Sequence, residues 1–281
     1  MLFHLPLRHS FLLVSYLANH NSSKIIGLRT TTRVSKFIHT TTTTTTTRMA
    51  TPNNASDDDD DVVPTQGDKL KEFYGSETAT MYAGMMEDEM VKYTDDFDLV
   101  FQRLQTAFPN HPTTIKVLDT CCGSGHMLKY IGEKLLDASE LKGIDLSPDM
   151  LAIAQSMVPG TQKACLQVGN MLDMSNEPDH QYHLVLNNFA MHHATAQQAE
   201  AAIQEYARLL IPKGCLFFSA WEGTGKIDYG DMDFDANYHS EADMKRWITE
   251  TAGLTILKCR SFVEKEMGDM NSVYFVAQKP G

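Results

Sequence analysis

Near residue 69 the rhythm of apolar and polar positions changes, and the change divides the chain. Apolar residues are scattered before that point and recur at regular intervals after it. Leu70, Phe73 and Tyr74, then Met90, Tyr93, Phe97, Val100, Phe101 and Leu104, follow helical spacing and predict two helices ahead of the first strand. Ile115–Asp119 is a short apolar run ending in a glycine-bearing turn, the pattern of a strand buried on both faces. Helices are predicted over Gly125–Leu136, Pro148–Met157, Ala196–Leu210 and Ala242–Thr251. Between them lie strand-like runs at Leu141–Asp145, Ala164–Val168, Tyr182–Asn187 and Cys215–Ala220. Two closing runs, Thr255–Val263 and Ser272–Ala277, have no helix between them. Such alternation implies an α/β fold: a doubly wound, mostly parallel sheet with helices on both faces and one antiparallel edge strand from the final hairpin.

Punctuation supports these limits. Ser147 before Pro148 reads as an N-cap with proline at the first helical position, and Pro212 with Gly214 ends the preceding helix. Ala199, Ala202, Ile203, Tyr206 and Leu210 share one helix face, which should lie on the sheet. Residues 1–50 contain Arg, Ser and Thr, no acid, and a Thr40–Thr47 homopolymer, a composition expected of an organellar transit peptide, mitochondrial in preference to plastid. A secretory signal competes through Phe11–Ala18, and translation from Met49 would leave the protein in the cytosol. Residues 51–68, with the run Asp57–Asp61, read as an acidic linker that buries nothing, leaving 69–281 as the folded domain.

Charge narrows the partners. All 36 acidic residues lie beyond residue 56, so the folded part is strongly acidic and repels phosphate backbones, which speaks against nucleic acid as the partner. No apolar run is long enough to span a bilayer, and membrane association is not expected. The five cysteines, 121, 122, 165, 215 and 259, show no C-x-x-C spacing and read as reduced thiols; no metal-ligand cluster is evident.

The chemistry-bearing segment is Val117-Leu-Asp-Thr-Cys-Cys-Gly-Ser-Gly-His126. A strand ending in Gly-x-Gly lets the backbone approach a nucleotide closely. Asp145 closes the next strand, where a carboxylate can accept from both ribose hydroxyls. A dinucleotide-binding fold offers the same two features. Two observations count against it: position 128 is Leu where the dinucleotide fingerprint needs Gly or Ala, and Asp119 would face an anionic pyrophosphate. A ligand with an ammonium and a sulfonium suits that carboxylate.

Asp119–Gly125, Gly143–Met150, His183–His193 and Leu210–Leu216 together resemble four ordered motifs of the class I, Rossmann-like, S-adenosylmethionine-dependent methyltransferases, over roughly residues 70–280. The resemblance implies S-adenosylmethionine as cofactor, held at its methionine end by Asp119, Gly123 and Gly125, with Cys121 a further residue of the cofactor site. It places the ribose on Asp145, the adenine on Leu146, Asn170 and Met171, and Asn187 beside the sulfonium. Asn170 departs from the family's usual Asp, although its carbonyl can still accept from an adenine amino group. Cys121 and Cys122 read as packing residues beneath this loop.

On the acceptor side the motifs are nearly silent. His192 and His193 follow the fourth strand and are candidates for a general base, against a purely structural reading. Tyr82, His193, Trp221, Tyr229 and Tyr238 are candidate substrate contacts. Trp221–His239 is long for a connection and could act as a lid, with Asp228, Asp231, Asp233 and Asp235 either lining it or facing solvent. The expected reaction is methyl transfer to a small-molecule S, O or N nucleophile by in-line displacement. The alternatives are an NAD-linked oxidoreductase on the same fold and a non-catalytic S-adenosylmethionine-binding subunit.

Overall fold

The structure is a computed structural model, and it describes residues 64–109, 115–135, 139–158, 163–229, 232–265 and 268–281. The leader and acidic run expected over 1–63 lie outside these residues. Ordered structure begins slightly earlier than the apolar pattern predicts, with helix α1 over Gln66–Phe73. Thr65 and Asp68 cap its start reciprocally, each side chain engaging the other's backbone N–H.

Three helices precede the first strand, one more than the sequence suggests: α1, α2 over Ser76–Glu89, and α3 over Thr94–Ala107, with a 3-10 turn at Met90–Tyr93 joining the last two. The additional helix escapes the periodicity argument because Ala79 is its one buried residue. Three of its other apolar side chains, Tyr82, Met85 and Met86, border a cavity. Alternation follows as expected: β1 Ile115–Asp119, α4 His126–Leu135, β2 Ser139–Asp145, α5 Pro148–Met157, β3 Lys163–Val168, β4 Tyr182–Asn188, α6 Ala196–Leu209, β5 Leu210–Glu222. Helix α7, Glu241–Arg246, continues into a π turn at Trp247–Thr251 before β6 Thr255–Glu264 and β7 Met270–Gln278. Among the described residues no helix is long and apolar enough to cross a membrane.

The seven strands lie in the order β3-β2-β1-β4-β5-β7-β6. All neighbouring pairs from β3 to β5 are parallel. Strand β7 runs antiparallel to both β5 and β6, so the edge is an antiparallel pair in which β6, not the last strand, is outermost. The helix before β5 ends at Leu209, and the Pro212–Gly214 turn lies within the span of β5 instead of terminating the helix. There Lys213 adopts a positive φ of 66° and its N–H bonds Lys279 O.

Strand alternation sorts the core into two layers. Leu184, Leu186 and Phe217 face Phe97, Val100, Leu104, Leu128 and Ile131 of α3 and α4. Val185, Leu216 and Phe218 face Ala202, Ile203 and Tyr206 of α6 and Met244 of α7. A buried carboxylate locks α3 to the far edge: Asp96, 1 % exposed, receives Lys258 at 2.8 Å and the Arg260 guanidinium at 2.5 Å. Between β1 and β4 successive connections diverge to opposite sides, which opens a crevice at the carboxyl ends of these strands, the place where open α/β sheets bind ligands.

Gly125 sets the floor of that crevice. Its φ is +84°, and a Cβ there would sit 2.9 Å from the Ala154 Cβ on α5. Gly125→Ala combines left-handed strain with overpacking and should lower unfolding free energy by about 2 kcal/mol or more in urea titration. Gly84→Ala, on an α2 face with nothing within 4 Å, should instead raise it by about 0.5–1 kcal/mol.

Candidate active site

The turn after β1 is assembled by backbone bonds. Thr120 N–H reaches Leu186 O on β4, Cys122 N–H reaches Ile144 O on β2, and Gly125 N–H closes onto Cys122 O. Gly123 takes φ +50°. Asp145 then binds both sides of the crevice floor: Oδ2 accepts from Gly123 N–H at 2.8 Å and Oδ1 from Ser147 N–H at 2.9 Å. Ser147 caps α5 through Met150 N–H and donates its hydroxyl to Tyr74 O, tying the end of α1 to this edge.

A cavity of about 330 Å³ opens above this floor. Asp119, Cys121, Gly123, Asp145, Leu146, Asn170 and Met171 line it, together with His192, His193, Tyr82 and Trp221. Gly125, Asn187, Tyr229 and Tyr238, expected at the ligand, do not line it. Gly125 lies below, pressed on Ala154. Asn187 is fully buried on the opposite face of β4, where its amide donates to Thr120 Oγ1 at 3.0 Å and Tyr206 OH at 3.1 Å. The wall beside it is made by the next residues, Asn188, Phe189 and Ala190. Tyr229 stands one layer back, hydrogen-bonded to His192 Nε2 at 3.2 Å, and Tyr238 packs against Gly223. Phe189 holds φ 48°, a strained position for an aromatic residue, with its N–H on Ser219 O.

Electrostatics on the wall are one-sided. Asp119 is 1 % exposed, and burial pushes its carboxyl up to about 7 against the help of the Cys121 N–H. Burial also raises Asp145, opposed by the N–H groups of Ser147 and Gly123. Both thiols, Cys121 and Cys122, are pushed well up by burial and then by Asp119, so neither is a thiolate, which fits packing residues. Asn170 spends its carbonyl on Leu172 N–H at 3.0 Å and shapes its own loop. Against Asp119, Asp145, Glu89 and Glu264, the wall carries one lysine, Lys92.

His192 is buried, His193 partly so, and both rings are neutral. Burial lowers His192 well below the usual imidazole range and His193 to about 4. Their rings lie 3.9 Å apart, His193 Nε2 is 2.9 Å from Tyr74 OH, and the Nδ1 of each ring is buried without a hydrogen-bond partner. Tyr74 thus joins His193 to the N-terminal cover.

The described parts of the Trp221–His239 segment, up to 229 and from 232, fold over α1. Gln66 and Asp235 exchange two hydrogen bonds, side-chain amide to carbonyl at 2.8 Å and N–H to side-chain oxygen at 3.1 Å, and Lys69 meets Asp233 at 2.9 Å. Asp228, Asp233 and Asp235 are exposed, and Phe73 and Phe234 pack at 4.9 Å beneath them. Asp231 lies outside the described residues. Glu89, Lys92, Glu264 and Tyr274 also border the cavity. No local pattern marks them as one group, since Glu89 and Lys92 meet Glu264 and Tyr274 only through the Lys92–Glu264 contact, 172 residues apart in sequence.

An acid whose folded value lies above its unfolded value of 3.8 stabilises the fold fully below about pH 4, and that contribution is lost as pH rises through about 7. Wild-type stability, measured relative to Asp119→Asn in the ligand-free protein, should therefore decline across this interval. A pH-independent difference would contradict the burial assigned to Asp119.

Residues 117–214 match the family described as methyltransferase domain. The sequence is 28% identical over 110 residues to dTDP-3-amino-3,6-dideoxy-alpha-D-glucopyranose N,N-dimethyltransferase of Streptomyces fradiae, covering 39% of this chain and 41% of that one. It is 28% identical over 105 residues to demethylmenaquinone methyltransferase of Bacillus licheniformis, covering 37% and 44%. The matched segment thus spans less than half the length of these curated relatives. In fold the chain is similar to an S-adenosylmethionine-dependent methyltransferase of Methanosarcina mazei, with a TM-score of 0.50 at 17% identity, covering 62% of this chain and 97% of that one. Residues 117–214 thus match a methyltransferase-domain family, and the sheet that contains them has a Rossmann-like, mostly parallel topology.

Proposed function

We propose that this protein is an enzyme that transfers a methyl group from S-adenosylmethionine to a small-molecule acceptor. The observation that carries the reading is a pair of carboxylates, Asp119 buried and Asp145 partly buried, flanking a glycine turn at the crevice of the sheet. Buried carboxylates without a cation beside them ask for a positively charged or hydroxyl-bearing ligand. S-adenosylmethionine supplies both, and it supplies an activated methyl bound to a sulfonium. A pyrophosphate-bearing dinucleotide would meet Asp119 and an acidic wall instead.

In this reading Asp119 and the Gly123 turn hold the methionine end, Asp145 the ribose, and Leu146, Asn170 and Met171 the adenine. Transfer needs little acid–base help because the donor is already electrophilic. The chain's contribution is alignment of the acceptor, exclusion of water by α1, α2 and the 223–239 loop, and release of product. His192 and His193 then shape the pocket and orient Tyr229 and Tyr74. We further propose that residues 1–50 direct the chain to an organelle, mitochondrial in preference to plastid, which imaging of a fusion to those residues would test.

Calorimetry with S-adenosylhomocysteine tests the cofactor assignment. Asp145→Ala, with its fold checked by circular dichroism, should weaken binding about tenfold or more, since it removes bonds to a charged acceptor worth roughly 1.5–3 kcal/mol. NADH should not bind, and unchanged affinity in the variant would refute the assignment.

Replacing either histidine by Ala should reduce kcat by about tenfold. Removal of a true general base typically costs about 10² to 10⁴, so a kcat loss beyond about a thousandfold, with cofactor affinity intact, would assign the base role that burial argues against.

A further inference from the structure

Beyond the cofactor edge the cavity continues to a wall where aromatic rings and carboxylates meet. Phe189 stands 4.5 Å from Trp221 and 5.4 Å from Tyr274, and Tyr93 lies 5.8 Å from Tyr274, centroid to centroid. Glu264 is 5 % exposed beside them. Its Oε1 accepts from Ser272 Oγ at 3.1 Å and Tyr274 OH at 3.2 Å, and its Oε2 lies 3.0 Å from Lys92 Nζ. Lys92 also meets Glu89 at 2.7 Å. The one lysine charge on this wall is therefore shared by two carboxylates, and the cluster keeps an excess negative charge. Arg260, whose guanidinium lies 4.0 Å from the Tyr274 ring centroid, is not among the residues bordering the cavity.

Groups able to take a proton are committed elsewhere. Nε2 of His192 and of His193 is taken up by the Tyr229 and Tyr74 hydroxyls at 3.2 and 2.9 Å, and both Nδ1 atoms are buried, so neither ring presents an open nitrogen to a substrate. Glu89 and Glu264 are engaged with Lys92, and Asp119 belongs to the cofactor's ammonium. A hydroxyl, thiol or protonated amine acceptor would have to shed its proton here without a partner. Aromatic faces and an acidic balance, by contrast, favour a cation that carries no N–H or O–H to be satisfied.

We propose that the acceptor atom is a thioether sulfur or a pyridine-like ring nitrogen, and that the Phe189, Trp221, Tyr274 and Glu264 wall holds the sulfonium or pyridinium cation formed from it. This rests on the methyltransferase reading above. The acceptor's lone pair forms the new bond to the methyl carbon, the pair of the old carbon–sulfur bond returns to the donor sulfur, and the positive charge passes to the product with no proton released. Trp221 and Phe189 face that charge, and Glu264 offsets it.

Binding and turnover together test the idea. Trimethylsulfonium, titrated by calorimetry into protein saturated with S-adenosylhomocysteine, should bind at least tenfold more tightly than its neutral isostere dimethyl sulfoxide. Trp221→Leu and Glu264→Gln should each reduce that preference fivefold or more. With methyl-labelled S-adenosylmethionine, label should enter 2-(methylthio)ethanol or 3-(hydroxymethyl)pyridine, with kcat flat between pH 6.5 and 9, and not 2-mercaptoethanol, 3-(hydroxymethyl)phenol or ethanolamine. Equal binding of the two probes, or label in the proton-bearing acceptors or in none, would overturn the inference. Failure of S-adenosylhomocysteine to bind in the same calorimetry would instead overturn the methyltransferase reading itself.

Discussion

One carboxylate holds the ligand edge of this sheet in shape. Asp145 accepts from Gly123 N–H and Ser147 N–H and so joins the turn after β1 to the start of α5. The glycine turn can hold its left-handed geometry only if something compensates its exposed backbone donors, and α5 can approach Gly125 only because that turn lacks a Cβ. Through Ser147 the same clamp reaches Tyr74 and hence the cover helices. Floor, helix start and lid therefore share one electrostatic anchor, and a ligand hydroxyl arriving at Asp145 would engage a group already fixed by two bonds.

Charge placement follows from the same economy of burial. Asp119 and Asp145 sit on the carboxyl ends of adjacent parallel strands, one step apart in the sheet, where neither has a side-chain cation. Burial there raises the proton affinity of both, and Asp145 adds a smaller push at Asp119. Such a site is poor for phosphate and well matched to a cation. Far across the sheet, Asp96 shows the opposite solution, an equally buried acid neutralised by Arg260 and Lys258, which is structural.

Much of this was legible in the sequence, for identifiable reasons. Parallel strands buried on both faces write themselves as short apolar runs, and Ser147-Pro148 and Gly123-x-Gly125 punctuate them, so the succession of strands and helices and the mostly parallel sheet follow. What stayed hidden depends on three-dimensional context. Helix α2 has apolar residues that face a cavity and not a core, which dilutes its periodicity. Asn187 and Asn188 are neighbours of the same type, yet strand alternation sends one into the core and puts the other on the wall, and no spacing rule says which. The Lys92–Glu264 pair joins positions that only the completed edge hairpin brings together.

The clasp between α1 and the 223–239 loop has a kinetic meaning. Its contacts, Gln66 with Asp235 and Lys69 with Asp233, lie at the surface, and exposed bonds of this kind are each worth about 1 kcal/mol or less. The hydrophobic layers on either face of the sheet are untouched when they break. Ligand traffic can then proceed through a local unlatching far less costly than unfolding, on the microsecond-to-millisecond scale of such covers. The turnover clock of this protein would then be set by a surface clasp, three of whose four residues lie off the cavity wall.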